Sequence, residues 1–389
     1  MRIRFFPEIP TLHPRPRLLR PLQVSACLLL LLAALPPLAA AGSYRADSPE
    51  YGLSVFLYDH PATTERDLEK VRTLGFGWVR MLLPWAGIEK ESKGAYNWAE
   101  ADRAVQAASS AGFKIIARLD RPPQWARADR AISGPPDNYQ DYADFVSAFV
   151  SRYSSGSPIG RVDAIQVWNE PNLDREWGGS RPINAKSAAD YVRLLSLAYK
   201  AAKRADPSVT VIAANLAPTG WIGPEALPDD QYLKAMFDSG LKGNYDVIGA
   251  NANVQCPCVD APLASVPRFT HPSFYFRRVE QLHDIMVANG DTDKQIWLVE
   301  FGWTTDPIHE TYSWYATDEQ TKSELIVQAF KYAHEHWSPW IGVMTLWTVA
   351  DPTWGPGDEQ VWWAVTNPDG STRPAYDRLL QARRGGELP

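Results

Sequence analysis

The chain has 389 residues, 45% hydrophobic and 22% charged, with a formal net charge of -6, which suits a soluble globular protein forming one large barrel or two smaller domains. A net negative chain with no basic stripe has no electrostatic footprint for nucleic acid. Sixteen Trp and sixteen Tyr suit a groove for flat, partly apolar rings, although most aromatics in any protein fill its core.

The first 41 residues read as a segment apart from the fold. Arg2, Arg4, Arg15, Arg17 and Arg20 make a basic start, an apolar run extends from Leu22 to Leu35, and Pro36-Pro37 and Ala39-Ala40-Ala41 follow. That pattern predicts a secretory signal cleaved before Gly42, leaving 42–389 as the mature domain. An uncleaved membrane anchor is the alternative, disfavoured by a run short of the roughly 20 residues of a span. Cys27 precedes the leucine run instead of ending it, which argues against lipidation. After cleavage only Cys256 and Cys258 remain, around Pro257. They allow a small loop disulfide or two free thiols, but neither a disulfide framework nor a four-ligand zinc site.

From about residue 50 short apolar runs alternate with amphipathic stretches of helical length. Strands are expected at 52–57, 77–83, 114–119, 164–169, 209–214, 245–250, 295–300 and 341–347. Continuous apolar runs such as Val209 to Ile212 suit parallel strands buried on both faces. Between them, Thr63 or Thr64 opens a helix with Leu68, Val71 and Leu74 on one face and Gly75 as its stop, and Asn97 opens a second that ends at Gly112. Further helices are expected near 137–152, 187–205, 229–239, 274–289 and 374–383, and Thr317 with Gln320 makes a capping box for a helix running toward Trp337. Eight strand–helix alternations over roughly 330 residues predict an α/β fold, a (β/α)8 barrel. An open doubly wound sheet would carry a Gly-rich phosphate turn after its first strand, and none follows 52–57. The longer connections (120–136, 170–186, 215–229, 251–273, 301–316 and 348–373) all follow strands and would share the rim where barrels hold their active sites.

Two strand ends carry chemistry. Trp168-Asn169-Glu170-Pro171-Asn172 ends the fourth strand, and Ile296-Trp297-Leu298-Val299-Glu300-Phe301-Gly302-Trp303 spans the end of the seventh. A glutamate delivered by a buried strand costs desolvation, unlike one on a solvated helix face, and marks a functional position. Two carboxyls flanking a glycosidic bond can act as acid and as nucleophile when about 5–5.5 Å apart, or activate a water when roughly 6.5–9.5 Å apart. Strands four and seven face each other across a narrow barrel mouth.

This pair of motifs resembles the clan A (β/α)8 retaining glycoside hydrolases, with family 39-like and family 5-like secreted bacterial members, such as cellulases and xylosidases, nearest in pattern. The likeness runs over 50–385. It implies Glu170 as acid/base, Glu300 as nucleophile and Asn169 as the partner of the substrate 2-hydroxyl. It also implies that Arg80, in Trp78-Val79-Arg80, lies beside the nucleophile and keeps it ionised, and that Trp347 floors the sugar site. Trp362-Trp363, Asn367-Pro368-Asp369-Gly370 and Arg373-Pro374-Ala375-Tyr376 resemble the clan's run into its last helix. One stretch departs from the pattern. Many members end strand six with His and Tyr, where this chain has Asn251-Ala252-Asn253; Asn251 or Asn253 can supply an amide hydrogen bond to Glu300 or to substrate, and altered specificity or slower chemistry is expected.

Arg118 and Asp120, followed by Trp125, can bind sugar hydroxyls or pair with each other. Trp85, Trp177, Trp303 and Trp354 are rim candidates for stacking on sugar rings, about half of them expected to serve packing instead. His60, after Tyr58 and Asp59, reads as a surface residue, and no metal or cofactor is implied. The expected activity is hydrolysis of a β-linked extracellular saccharide by double displacement, the partner being carbohydrate and any membrane contact confined to the N-terminal segment. Endo- and exo-cleavage both stay open, the aromatics leaning toward an extended cleft. The rivals are a glycan-binding protein on a degenerate hydrolase scaffold and a transglycosylase. Sugar identity and oligomeric state are not constrained.

Overall fold

The computed structural model describes residues 44–47, 49–129, 134–178, 181–254, 258–260 and 271–388, with the backbone alone at Ala214. The expected signal segment and Cys256 lie outside the described residues; Cys258 is disulfide-bonded. Eight parallel strands close in chain order into a barrel: β1 (Glu50–Ser54), β2 (Trp78–Leu82), β3 (Lys114–Leu119), β4 (Ala164–Val167), β5 (Thr210–Leu216), β6 (Val247–Asn253), β7 (Ile296–Gly302) and β8 (Ile341–Leu346). This is the (β/α)8 architecture, with β8 pairing back onto β1 from Glu50↔Val343 to Leu53↔Leu346.

Helices α1 (Thr64–Thr73), α2 (Trp85–Ile88), α3 (Ala99–Ser110), α4 (Tyr139–Arg152), α5 (Ala185–Ala205), α6 (Asp229–Asp238), α7 (Arg278–Ala288), α8 (Glu310–Ser313), α9 (Glu319–His336) and α10 (Pro374–Arg384) fill the connections. Two starts differ from expectation by one residue. Asp318, not Thr317, caps α9 by accepting from the Thr321 N–H at 2.8 Å, because its carboxylate complements the helix N-terminus better than a hydroxyl does. Trp98 holds the cap position of α3, and Asn97, one residue earlier, accepts from Ala99 N–H at 3.2 Å. Among the described residues no helix is long and apolar enough to cross a membrane.

The barrel interior is layered by the two-residue period of its strands. Trp78, Ile116, Ala164, Ile212, Val247, Trp297 and Val343 pack together near the N-terminal ends of the strands. Two residues further along, Trp78 gives way to Arg80, Ile116 to Arg118 and Ala164 to Gln166. The lower barrel is therefore an apolar plug and the upper barrel a polar floor. Register sets what meets on that floor. Pairing between β6 and β7 runs Ala250↔Leu298 and then Asn251↔Glu300. The extra residue, Val299, bulges β7 and sets Asn251 opposite Glu300, a local re-aiming of side chains that bulges commonly perform.

Candidate active site

Glu170 leaves β4 on a strained turn. Trp168 (φ 72°) and Glu170 (φ 36°) both occupy the left-handed region, which costs a non-glycine residue of order 1–3 kcal/mol and persists where surrounding structure over-determines it. Here that structure is visible: Trp168 N–H donates to Leu119 O at 3.1 Å, and Glu170 N–H to Asn215 O at 3.1 Å. The Trp168 indole is buried against Tyr142 and Trp177 and donates to the Glu176 carbonyl at 2.8 Å. A π-helical turn follows at Asp174–Gly178, a distortion frequent at functional sites.

A closed circuit of polar side chains crosses the floor. Arg80 donates from Nε to Gln166 Oε1 at 2.9 Å. Gln166 Nε2 donates to the Trp168 carbonyl at 2.8 Å, to Asn169 Oδ1 at 3.3 Å and to Asn215 Oδ1. Asn215 Nδ2 donates to Asn251 Oδ1 at 2.7 Å. Asn251 Nδ2 in turn donates to Glu170 Oε1 at 2.8 Å and to Glu300 Oε2 at 3.3 Å. Glu300 Oε1 closes the ring on the Arg80 guanidinium at 2.7 Å. Five strands thus hold the two carboxylates through directed hydrogen bonds, and all six side chains of the ring, Glu170 included, are buried. Burial pushes the Glu300 carboxyl up from its ordinary range and the Glu170 charge adds to this, while Arg80 and Arg118 pull it back. Arg80 is the counter-charge that lets an ionised carboxylate exist at this depth, opposing the shift that burial imposes.

Three further carboxyl or guanidinium groups face the pair. Arg175, on the π turn, reaches Glu170 Oε2 at 2.9 Å and donates to the Tyr312 hydroxyl at 3.3 Å. Glu176 sits 3.8 Å from the Arg118 guanidinium; burial, reinforced by the charges of Glu170 and Asp120, lifts its carboxyl to about 7. Glu359 accepts from Trp363 Nε1 at 2.5 Å and from Gln360 Nε2 at 2.7 Å, and burial raises it too. Together with Asn169, Asn253 and Trp347, these groups line a cavity of about 240 Å3 around Glu170 and Glu300.

The remaining sequence candidates divide. Trp347 borders the carboxylates, its indole N–H donating to Gln360 Oε1 at 2.9 Å. Trp354 lines an adjoining cavity and meets Phe56 edge-on at 4.9 Å. Asp120 is buried and bound to Arg118, with Nε and Nη2 at 2.7 and 2.6 Å from one carboxylate oxygen, so the mutual ion pair is the arrangement found. Trp125 packs edge-on against Trp85 at 5.7 Å and donates its indole N–H to the Glu89 carbonyl at 2.7 Å. Trp303 is 0% exposed and packs on Phe276 at 6.0 Å, and Trp85 and Trp177 are equally buried. None of these three presents a face to a sugar: Trp85 packs among Trp125, Tyr142 and Phe145, and Trp177 among Tyr139, Trp168 and Tyr191. Gln166, Asn215, Arg175, Tyr312, Glu176 and Glu359 were not singled out in the sequence. Gln166 and Asn215 carried a readable signal, a polar residue inside an apolar strand; Arg175 and Tyr312 carried none. Among the described residues no group of three or more His, Cys, Asp or Glu is arranged to hold a metal ion.

The sequence matches no protein-family model and no curated protein. Its backbone does have solved counterparts. A family 39 glycoside hydrolase from Bacteroides cellulosilyticus superposes with a TM-score of 0.61 at 18% identity, over 87% of this chain and 64% of that one. A GH5_18 protein from Streptomyces cattleya, solved with Manβ1-4GlcNAc, gives 0.63 at 13% identity over 88% and 82% of the two chains. A psychrophilic family 10 endo-β-1,4-xylanase gives 0.55 at 17% identity over 86% and 96%. The fold is that of the clan A glycoside hydrolases. At these identities the likeness is one of fold, and this chain spans less than two thirds of the Bacteroides protein.

Proposed function

We propose that the protein is a retaining glycoside hydrolase that cleaves β-linked saccharides outside the cell, with Glu300 as nucleophile and Glu170 as acid/base. The observation that carries this reading is the shared amide of Asn251. Glu170 Oε1 and Glu300 Oε2 lie 2.8 and 3.3 Å from one nitrogen, so these two oxygens are at most about 6 Å apart, which favours the roughly 5–5.5 Å of a nucleophilic pair over the roughly 6.5–9.5 Å that accommodates an attacking water. The spacing supports direct attack by a carboxylate.

The steps follow from the geometry. Glu300, ionised against Arg80, attacks the anomeric carbon as Glu170 gives its proton to the departing glycosidic oxygen, and a glycosyl ester forms on Glu300. A water then enters on the Glu170 side. Glu170, now a carboxylate, takes its proton while the oxygen attacks the anomeric carbon and the ester bond breaks. The products are the sugar with its original anomeric configuration and the free leaving group, and both glutamates regain their starting states. Asn169 accepts from Gln166 through Oδ1, which leaves its amide N–H free for the 2-hydroxyl, and Trp347 offers its indole to the ring. The N-terminal pattern of basic, apolar and small residues supports export.

The test is a panel of 4-nitrophenyl glycosides, with the first-formed anomer read by proton NMR. Turnover with retained configuration is expected, and Glu300→Ala should lose it and regain part on addition of azide. A wild-type protein that cleaves nothing on the panel yet binds one of the sugars would be a glycan-binding protein instead. An inverted product would refute the nucleophile assignment.

A further inference from the structure

The connections after β7 and after β8 both wall the cavity around the two glutamates, and one imidazole ties them together. Tyr312 on α8 lines the cavity from the first connection, and Glu359, Gln360 and Trp363 line it from the second. His309 immediately precedes α8. Its Nδ1 lies 2.7 Å from Asp306 Oδ2 on the same connection, and its Nε2 lies 3.1 Å from the Gly357 carbonyl oxygen on the other.

Both of these oxygens are acceptors. The Asp306 side chain is fully buried, and its other oxygen, Oδ1, already accepts from the backbone N–H groups of Ile308 and His309 at 2.8 and 3.1 Å. Oδ2 is thus left to face the ring. A neutral imidazole carries one N–H and one acceptor nitrogen, so it satisfies one contact and sets a lone pair against the oxygen of the other. The imidazolium donates at both nitrogens. The bridge between the two connections therefore requires the second proton.

The charges about the ring favour that state. Asp306 and Glu310 belong to its own connection, and Asp358 and Glu359 to the other. The bond to Asp306 holds His309 above its ordinary range, and the Glu359 charge adds to the pull. Arg175 faces Glu359 from the π turn. The far end of the same stretch has separate anchors. Thr305 N–H donates to the Trp362 carbonyl at 3.2 Å, and Lys322 of α9 donates to the Trp362 and Ala364 carbonyls, each at 2.9 Å. Burial pulls Lys322 down to about 7, but an uncharged amine keeps two N–H groups for those two carbonyls, so this anchor survives loss of its charge. The near end, at Gly357, rests on His309, whose bonding changes with protonation.

We propose that His309 is a positioning residue, an acid-set clasp that holds the connections after β7 and β8 together and keeps Tyr312, Glu359 and Gln360 in place around the proposed catalytic pair. Gln360 in turn accepts from the Trp347 indole, so the clasp reaches the sugar floor through one hydrogen bond. The bridge is complete below the ordinary histidine value of 6.5 and is lost as pH rises through the raised one. Its effect on turnover rests on the hydrolase reading above; the clasp itself does not.

Hydrogen exchange read by mass spectrometry tests the clasp without a substrate. Wild type, His309→Gln and His309→Arg are compared with one another at about pH 5.5 and again at about pH 8.5, so that the intrinsic pH dependence of exchange cancels. At the lower pH, peptides spanning 304–316 and 355–361 should exchange about fivefold or more faster in His309→Gln than in wild type, and at the higher pH the two should coincide. His309→Arg keeps a permanent cation with donors for both acceptors, so it should protect the peptides at both. The His309 side chain is 32% exposed, so neither substitution opens the core. On an accepted 4-nitrophenyl glycoside, the ratio of wild-type to His309→Gln kcat/KM should be about threefold or more at the lower pH and near one at the higher; titrations common to both proteins drop out of that ratio. No difference between them in exchange, or differences in exchange or in kcat/KM that are the same at both pH values, overturn the clasp and leave the hydrolase reading standing. A wild type that cleaves no glycoside overturns the hydrolase reading alone, because exchange still decides the clasp.

Discussion

Arg175 reaches back five residues to set its guanidinium 2.9 Å from Glu170 Oε2, although the arginine side chain itself is 56% exposed. The same side chain spans to Tyr312 on α8, in the connection after β7, so one cation joins the two strand ends that carry the proposed catalytic pair. Asn251 holds the other Glu170 oxygen. Between them they fix the plane of the carboxyl proposed to protonate the leaving oxygen.

Arg175→Gln should therefore impair proton transfer selectively. With phenyl or 4-methylumbelliferyl glycosides, whose leaving groups need the proton, kcat/KM should fall about tenfold or more. With a dinitrophenyl glycoside, which departs unassisted, it should change by about twofold or less, and Arg175→Lys should recover part of the loss. Equal losses on all leaving groups would mean that Arg175 only supports the loop.

Asn251→Ala removes the donor shared by Glu170 and Glu300 and strands the buried amide of Asn215. The unsatisfied amide should cost about 1–3 kcal/mol in a urea melt, and kcat should fall about 10²-fold as the carboxyls lose their common anchor. Asn251→Asp should be worse, since it sets a third carboxylate against the other two. An alanine variant with wild-type kcat would remove Asn251 from the site.

Glu176 binds its proton more tightly in the folded chain than in the unfolded one, its carboxyl lifted from 4.5 to about 7. Between those values the folded state holds a proton that the unfolded state has released, so the group's contribution to stability declines as pH rises through about 4.5 to 7 and the deficit is complete above it. Glu176→Gln should match wild type at pH 4 and exceed it by about 1–2 kcal/mol at pH 8, with allowance for partial exposure. A difference that does not depend on pH would exclude the titration as its cause.

Trp303→Ala should behave as a core truncation. Its side chain is fully buried beside Phe276, and loss of a buried tryptophan costs about 3–5 kcal/mol, read as a lowered denaturation midpoint. A midpoint unchanged from wild type would place Trp303 outside the core.

The barrel and its proposed catalytic pair were legible in the sequence for one physical reason. Parallel strands buried on both faces read as unbroken apolar runs, and a glutamate ending such a run stands out against the cost of burying it. β3 matched its expected span, 114–119, and the others shifted by a few residues, because apolar runs do not mark where pairing stops. Trp303 and Trp354 are the same residue on neighbouring rim loops, yet one is core and the other lines the cleft; helix coverage and barrel closure separate them, and neither is written locally. Likewise, nothing in Asn251 or Glu300 alone says that they meet. A bulge at Val299 sets that register, and a ring through Arg80, Gln166 and Asn215 holds it. Local sequence determined which residues the strands carry and which long connections follow them. Closure of the barrel decided which of them face one another, because distances across its mouth follow from strand register and stagger.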